Sequence, residues 1–407
     1  MFLHRPLAVD STALILLLGA LAATAPLAID MYLPALPAMA EGLNRPINQI
    51  QQTLTVFMLG YALCQLIYGP LSDRFGRRPV MLFGMMLFSV ASLICTLAVD
   101  LEQLLLARTL QALGGGAASV VVTALVRDLY RGEAAARMMS LVVMSMTLAP
   151  LLAPLVGGQV LLWFGWRTIF LLLTLLGAVL SLVIWLRLPE TRQTTPQRFS
   201  LRRMLCDYKQ VLGHRQAMGY LLCGSFSTAG MFAFITASPF VYIEYYGVSE
   251  ALYGLLFGCN IVLMMLLNWV NSRIIMRTGL ATMIGRASLF QAIIGMLLLV
   301  SVLVLDQLAA LFPLLVLFVG CIGLLGANCS AAVVSPFDRT AGSAAAILGT
   351  SRFLIGGLTA VAVSLLHDET ALPMAMVISL CGVIGYCCFL FIASPTLVDT
   401  GPTSPPQ

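Results

Sequence analysis

The chain has 407 residues and a net charge of +5, with 60% of its residues hydrophobic and only 10% charged. Soluble domains carry about a quarter charged residues, so this composition excludes an ordinary soluble protein. Uncharged apolar runs of roughly 20 residues recur along the chain, and each is long enough to cross a membrane as a helix.

These runs predict twelve membrane-spanning helices, called spans 1 to 12 in chain order. The first run lies near the N-terminus, but it is too long for the apolar core of a secretory signal, so we predict that it is retained. Alternating ten-residue segments are lacking, which disfavours a β-barrel. The predicted spans are 12–35, 48–69, 79–98, 101–126, 138–162, 166–187, 217–241, 250–272, 281–304, 308–334, 343–366 and 371–393.

One long connection divides the spans into two sets of six. We therefore predict an N-terminal six-helix bundle in 1–187, a linker in 188–216 and a C-terminal bundle with a short tail in 217–407. Apolar residues recur at helical spacing in the linker, between basic ones, which predicts an amphipathic helix on the inner membrane surface rather than a partner-binding segment. These apolar residues are Leu201, Met204, Leu205, Tyr208 and Leu212.

Basic residues are distributed unevenly between the two sides of the predicted membrane. Of the 22 lysines and arginines, 18 fall on the side of the termini and the linker, and only Arg45 and Arg167 fall on the other. Arg108 and Arg352 lie within spans. Because cytoplasmic loops are enriched in basic residues, both termini and the linker are predicted to be cytoplasmic.

The turn 69–79, GPLSDRFGRRP, concentrates charge between spans 2 and 3. Its arginines set the topology of the chain, and two interpretations of the turn remain open. It is either a solvated turn without a further role, or a charged clasp that holds the cytoplasmic side shut in one state and open in another. In the second case its aspartate can face the N-terminus of a neighbouring helix. Part of this turn, Arg74-x-Gly76, is repeated as Arg277-x-Gly279 after span 8. The predicted gate residues are Gly69, Asp73, Arg74, Gly76, Arg77 and Arg78.

Two charged residues fall inside apolar runs, where a lone charge is costly and therefore marks a candidate functional site. Asp30 in span 1 and Arg108 in span 4 are each predicted ~10 Å below the outer surface, at 1.5 Å per residue. We expect them to pair and to couple proton binding to transport. The alternative is a static structural ion pair.

Span 5 contains two prolines and two adjacent glycines, which are predicted to form a hinge and seal between the bundles. The alternative is a bent helix that serves packing only. These residues are Pro150, Pro154, Gly157 and Gly158.

A central cavity is predicted to have aromatic and methionine-rich walls, which suit varied apolar ligands. Glu244 is predicted at the outer rim, while Arg352 is expected to meet either a helix terminus or Asp73. Three asparagines, Asn260, Asn268 and Asn328, are expected to be buried. The cavity candidates are Phe57, Met58, Tyr61, Gln65, Gln111, Phe226, Met231 and Phe234.

Several of these motifs resemble signatures of the major facilitator superfamily. The turn 69–79 is similar to the loop between its second and third spans, and 104–119 resembles its fourth-span signature, with Ala112 where glycine is usual. The segment 149–158 resembles the signature of drug/proton antiporters, with alanines at 149 and 153. The segments APLAIDMYLPALP (25–37) and SPFVYIE (238–244) resemble the bicyclomycin-resistance (Bcr/CflA) branch.

The resemblance implies an all-α protein of two six-helix bundles related by pseudo-two-fold symmetry, which exports drugs against protons by alternating access. We expect it in the bacterial inner membrane as a monomer that exports bicyclomycin-type and other small drugs, without enzymatic activity, cofactor, metal or nucleic acid. The sequence contains no phosphate-binding loop or metal-ligand cluster. The alternatives are a proton-coupled transporter of a small metabolite such as an amino acid or sugar, and a membrane sensor.

Overall fold

The computed structural model describes residues 12–191, 201–337 and 340–393, and it confirms the twelve predicted spans. A further helix, Leu201–Gly213, forms in the predicted linker and is called the linker helix. The spans are Thr12–Leu43, Ile47–Phe75, Arg77–Leu97, Leu101–Leu129, Gly132–Phe164, Trp166–Arg187, Arg215–Tyr245, Glu250–Thr278, Leu280–Val304, Leu308–Val334, Ala341–Leu365 and Leu372–Ala393.

Spans 2 and 8 extend six residues beyond their predicted ends, because polar residues continue each helix past its apolar run. Each then ends at a glycine with positive φ, 102° at Gly76 and 76° at Gly279. The next span begins one residue later in both cases. The two glycines of the partial repeat therefore end equivalent helices in the same backbone conformation, which only glycine adopts readily.

Span 1 is broken near its middle. Its first α-helix ends at Asp30, a 3₁₀ turn covers Leu33–Ala35, and a second α-helix covers Leu36–Leu43. Pro34 lacks the N–H that would bond to the carbonyl four residues earlier, and its ring crowds that carbonyl. This carbonyl belongs to Asp30, so the sequence itself places the carboxylic acid at the end of a helix.

The spans pack as two bundles of six. In the first half, span 4 packs against spans 2 and 3, span 3 against span 6, and span 1 against span 5. In the second half, span 7 packs against spans 10, 11 and 12. The bundles meet where span 2 contacts span 11 and span 5 contacts span 8. A pseudo-two-fold axis relates span 2 to span 8 and span 5 to span 11. The two contacts between the bundles are therefore equivalent.

The two ends of the molecule differ in how the bundles meet. We call the end with Arg74, Arg77 and Arg78 the basic end, and the opposite one the far end. Toward the far end, span 5 lies so close to the break in span 1 that a Cβ at Gly157 would be 1.7 Å from the Met31 carbonyl oxygen. At Gly158, a Cβ would be 3.3 Å from the carbonyl oxygen of Glu250 in span 8. Span 5 thus joins both bundles there.

Replacing Gly157 with alanine should destabilise the protein, because its methyl group would overlap the span 1 backbone. Alanine favours helices by ~1 kcal/mol over glycine, but overpacking of this kind costs about 1–3 kcal/mol and should prevail. Gly158→Ala is the matched control, with a looser contact. Thermal unfolding of the detergent-solubilised variants would test this, and a Gly157→Ala protein as stable as Gly158→Ala would contradict it.

Candidate functional site

A cavity of about 810 Å³ lies between the two bundles. Its deepest walls include Asp30 of span 1, Phe234 of span 7 and Asn260 of span 8. It extends to the basic end, where its wall includes Asp73 and Arg127, both exposed. The cavity therefore connects the middle of the molecule with the basic end.

The structure places only part of the predicted cavity set on this wall. Tyr61, Gln65, Met231 and Phe234 line it. The other four lie elsewhere, so their prediction as lining residues is wrong in this conformation. Phe57 and Gln111 contact Arg108 inside the first bundle, Met58 is buried next to span 11, and Phe226 packs near span 12.

The linker helix contributes two cavity residues that sequence reasoning missed, Met204 and Tyr208. Val211 is fully buried against the second bundle, while the Tyr208 hydroxyl donates to the Leu66 carbonyl of span 2 over 3.5 Å. Burial, and secondarily Asp207, raises the pKa of Tyr208. The helix thus contacts both bundles at the cavity mouth.

The two bundles cover only part of the apolar face predicted for this helix. Met204 and Tyr208 point to the cavity, whereas Leu205 and Leu212 are exposed.

Asp30 lies at the broken end of the first helix of span 1 and belongs to the cavity wall. Its side chain is buried, and its Oδ1 atom accepts no hydrogen bond from any described residue. A carboxyl group in this position lacks the solvation that water would give it. It is therefore the buried acid that a proton or a donor group of a ligand would satisfy.

The expected ion pair between Asp30 and Arg108 is wrong for this conformation: among the described residues, no contact within 4.0 Å joins their charged atoms. The Arg108 guanidinium instead lies 4.4 Å from the ring centroids of both Tyr32 and Phe57. Such rings stabilise a buried cation. The ring of Phe170 lies slightly farther away, at 5.8 Å.

Hydrogen bonds fix Arg108 within the first bundle. Its Nη1 atom donates to the Ala28 carbonyl of span 1, at 3.1 Å, and to the Oε1 atom of Gln111. Gln111 in turn donates to Ser92 at 2.7 Å. Arg108 therefore holds the backbone of span 1 two residues before Asp30 and leaves the carboxyl group unpaired.

The turn between spans 2 and 3 is organised around Arg77. Its guanidinium contacts Asp73 at 2.6 Å and Asp128 of span 4 at 3.0 Å. Its backbone N–H donates to Glu190, which follows span 6, at 3.0 Å. Glu190 therefore occupies the N-terminus of span 3, while Asp73 pairs with Arg77.

The other members of the predicted gate have separate positions. Arg78 donates to the carbonyl of Trp185, and Arg74 lies over the ring of Phe75. Gly69 belongs to the cavity wall. The contacts described for this turn stay within the first bundle, so the turn does not join the two bundles in this conformation.

Arg352 meets neither of its two expected partners. It lines the cavity from span 11 and donates to the Gly326 carbonyl and the Ser330 hydroxyl of span 10 at 2.9 and 3.0 Å. Glu244 lines a separate far-end recess with Glu41, as a rim charge would. Asn260 and Asn328 are buried as expected, but Asn268 is exposed.

Comparisons with known proteins agree with this architecture. Residues 18–361 match the model of the Major Facilitator Superfamily. The chain belongs to this superfamily. It is 33% identical over 395 residues to a "Bicyclomycin resistance protein homolog" of Haemophilus influenzae, covering 95% of this chain and 98% of that one. The resemblance to the bicyclomycin-resistance branch is thereby confirmed.

A further relative and a solved structure agree with this family and fold. "Multidrug resistance protein D" of Escherichia coli is 30% identical over 385 residues, covering 94% and 96% of the two chains. A solved D-xylose–proton symporter shares the fold with a TM-score of 0.73 and 14% identity, over 94% of this chain and 98% of that one. The chain is thus a multi-pass membrane protein of the major facilitator type.

Two arginines of the turn, Arg77 and Arg74, should contribute differently to the stability of the protein. Arg77→Ala removes two carboxylate contacts of a largely buried side chain, and we expect a loss of about 2 kcal/mol of stability. Arg74→Ala, the control, removes only an exposed contact and should change stability by less than about 0.5 kcal/mol. Thermal unfolding would measure both, and equal effects would refute this ranking.

Proposed function

We propose that the chain is a proton-coupled multidrug exporter, a drug/proton antiporter of the bacterial inner membrane that works by alternating access. The observation that carries this proposal is the buried, unpaired carboxyl group of Asp30 on the wall of a cavity that reaches one end. The names of the relatives, bicyclomycin and multidrug resistance, support drugs as the substrate class.

The orientation follows from the distribution of arginine and lysine. With 18 of 22 basic residues on one side, the positive-inside rule places the basic end in the cytoplasm. Both termini lie on that side too, because the number of spans is even. The cavity then faces the cytoplasm, so this conformation is the one that loads drug from inside.

Asp30 couples the two substrates because a proton and a drug compete for it. An unpaired carboxylate among buried apolar groups is costly, and either a proton or a cationic or donor-bearing drug relieves that cost. Protons arriving from outside displace the drug, and drug arriving from inside displaces the proton. One proton moved across 100 mV supplies about 2.3 kcal/mol, enough for modest uphill export.

Alternation requires the bundles 1–187 and 217–407 to rock against each other, with 188–216 as the tether. Pro150 and Pro154 remove helix hydrogen bonds from span 5, while Gly157 and Gly158 pack its far end tightly. Span 5 is therefore the hinge and the far-end seal. One chain contains the complete cavity, which supports a monomer as the working unit.

Closure of the basic end gives Asp73 a role that it does not yet play in this conformation. It is 66% exposed and shares the cavity wall with Gly342 and Ser343, in the first turn of span 11. Moving the bundles together would bring its negative charge toward a helix N-terminus, which favours anions. The clasp interpretation of the turn is therefore retained for the closed state.

The wall chemistry favours drugs over sugars or amino acids. Tyr61, Phe232, Phe234 and Phe257 line the cavity, and aromatic walls suit apolar, variable ligands. Transport through such a site requires no covalent step, so the protein acts as a transporter rather than an enzyme. A resistance profile against an antibiotic panel in an efflux-deficient host tests this, and a chain that confers resistance to none would refute it.

Asp30→Asn should insert normally but lose proton-driven export, because the amide cannot exchange a proton. Cells that express it should accumulate a fluorescent drug as cells without the transporter do. The control is Glu102→Gln, which alters an exposed carboxylate at the far end, 71% exposed and paired with Arg45. Full resistance from Asp30→Asn would overturn the proton-site assignment.

Asp73→Asn should impair transport more than insertion, because Arg74, Arg77 and Arg78 remain to set topology. Comparing membrane yield with drug efflux in the same cells measures the two effects. A loss of efflux that merely matches the loss of inserted protein would favour the topology interpretation of the turn.

A further inference from the structure

Asn260, in the middle of span 8, is a polar residue without exposed surface in an otherwise apolar part of the cavity wall. Phe257 and Ile261 lie beside it on the same wall. Its Oδ1 atom accepts no hydrogen bond within the described residues. A buried acceptor without a partner is costly and rare in native proteins, and it calls for a specific explanation.

The helix itself fixes which way the amide faces. The Nδ2 atom donates to the carbonyl oxygens of Leu256 and Phe257, at 3.1 and 3.2 Å. Rotating the amide by half a turn would put its oxygen against those two carbonyl oxygens, which repel it. The oxygen must therefore point away from the helix backbone, as a buried acceptor of a residue that belongs to the cavity wall.

A second acceptor stands on the other bundle. Asp30, likewise buried and with an unpartnered Oδ1 atom, belongs to the same cavity wall. Among the described residues of the cavity wall, each bundle thus contributes one buried oxygen without a partner, close to apolar and aromatic side chains such as Phe234 and Ile235. A ligand in this part of the cavity would lie between two residues whose buried oxygens have no partner in the described part of the chain.

We propose that Asn260 is a specificity-determining residue, whose amide oxygen selects substrates that carry a hydrogen-bond donor on an apolar body. The donor is a hydroxyl or amine hydrogen of the substrate, and the Asn260 Oδ1 atom accepts it while Asp30 binds or releases its proton. This inference rests on the proposed function and narrows its substrate class. A substrate that lacks the donor leaves the Asn260 oxygen unpaired and binds more weakly.

The test compares two probes that share an aromatic body and an amide but differ in their hydroxyl donors; the variants below separate the loss of these donors from the bulk of the added acetyl groups. Chloramphenicol has an aromatic body with two hydroxyl groups, and its doubly O-acetylated ester lacks both hydroxyl donors. Binding of each to the purified full chain in lipid nanodiscs is measured by calorimetry. We expect chloramphenicol to bind the wild-type chain about tenfold more tightly, the factor typical of one hydrogen bond to a buried acceptor.

Three variants separate recognition from folding. Asn260→Leu removes the acceptor and should bring the affinity ratio of the two probes close to one. Asn260→Thr should preserve part of the ratio, because its hydroxyl donates to its own helix and keeps lone pairs for a ligand. Asn268→Leu, an exposed position on the same span, should keep the wild-type ratio.

A ratio that survives Asn260→Leu would overturn the proposal, as would a wild-type chain that binds the two probes equally or binds neither. Size-exclusion profiles show whether the Asn260→Leu variant is folded. If it is not, the Asn260→Thr variant provides the test. An affinity ratio of one for the two probes in Asn260→Thr would also contradict the proposal. Drug efflux by the wild-type chain is measured separately. A chain that exports drugs without this preference refutes the Asn260 subsite alone, whereas one that exports none refutes the transport function.

Discussion

The buried guanidinium of Arg108 is the interaction on which the site depends. It is fully enclosed in the first bundle, stabilised by aromatic rings and by the Ala28 carbonyl, and thus fixed without a carboxylate partner. Because this bond holds the span 1 backbone beside the break, Asp30 is kept in place while its own oxygen remains free to bind a proton or a ligand. A salt bridge between the two would have satisfied both groups and removed the acid from the cavity chemistry.

The break in span 1 links this chemistry to the contact between the bundles. Pro34 frees the carbonyl of Asp30, and the next residue, Met31, receives span 5 at Gly157. The same span 5 contacts span 8, the span that carries Asn260. The acid, the close contact of span 5 with span 1 and the acceptor in the second bundle therefore lie along a continuous set of packed helices. In the proposed mechanism, a change in the protonation or ligation of Asp30 would therefore act next to the contact between spans 1 and 5.

Apolar runs and glycines predicted the architecture well, because span length and positive φ depend on local sequence. The repeat that contains Gly76 and Gly279 predicts equivalent turns, and both glycines have positive φ. The pairing of Asp30 with Arg108 was mispredicted from equal depth, since depth says nothing about which aromatic rings surround a guanidinium. Likewise, the face to which Tyr208 points depends on contacts with span 2, more than 140 residues away in sequence. Such contacts leave no periodic signal in one sequence.

The central claim is that Asp30 exchanges its proton for the drug in the conformation with the cavity facing the cytoplasm. The most direct measurement is the pH change when an exported drug is added to purified protein in weakly buffered solution. The account predicts proton release by the wild-type chain and none by a chain with asparagine at position 30. Drug binding to the wild-type chain without proton release, or equal release from both proteins, would contradict it.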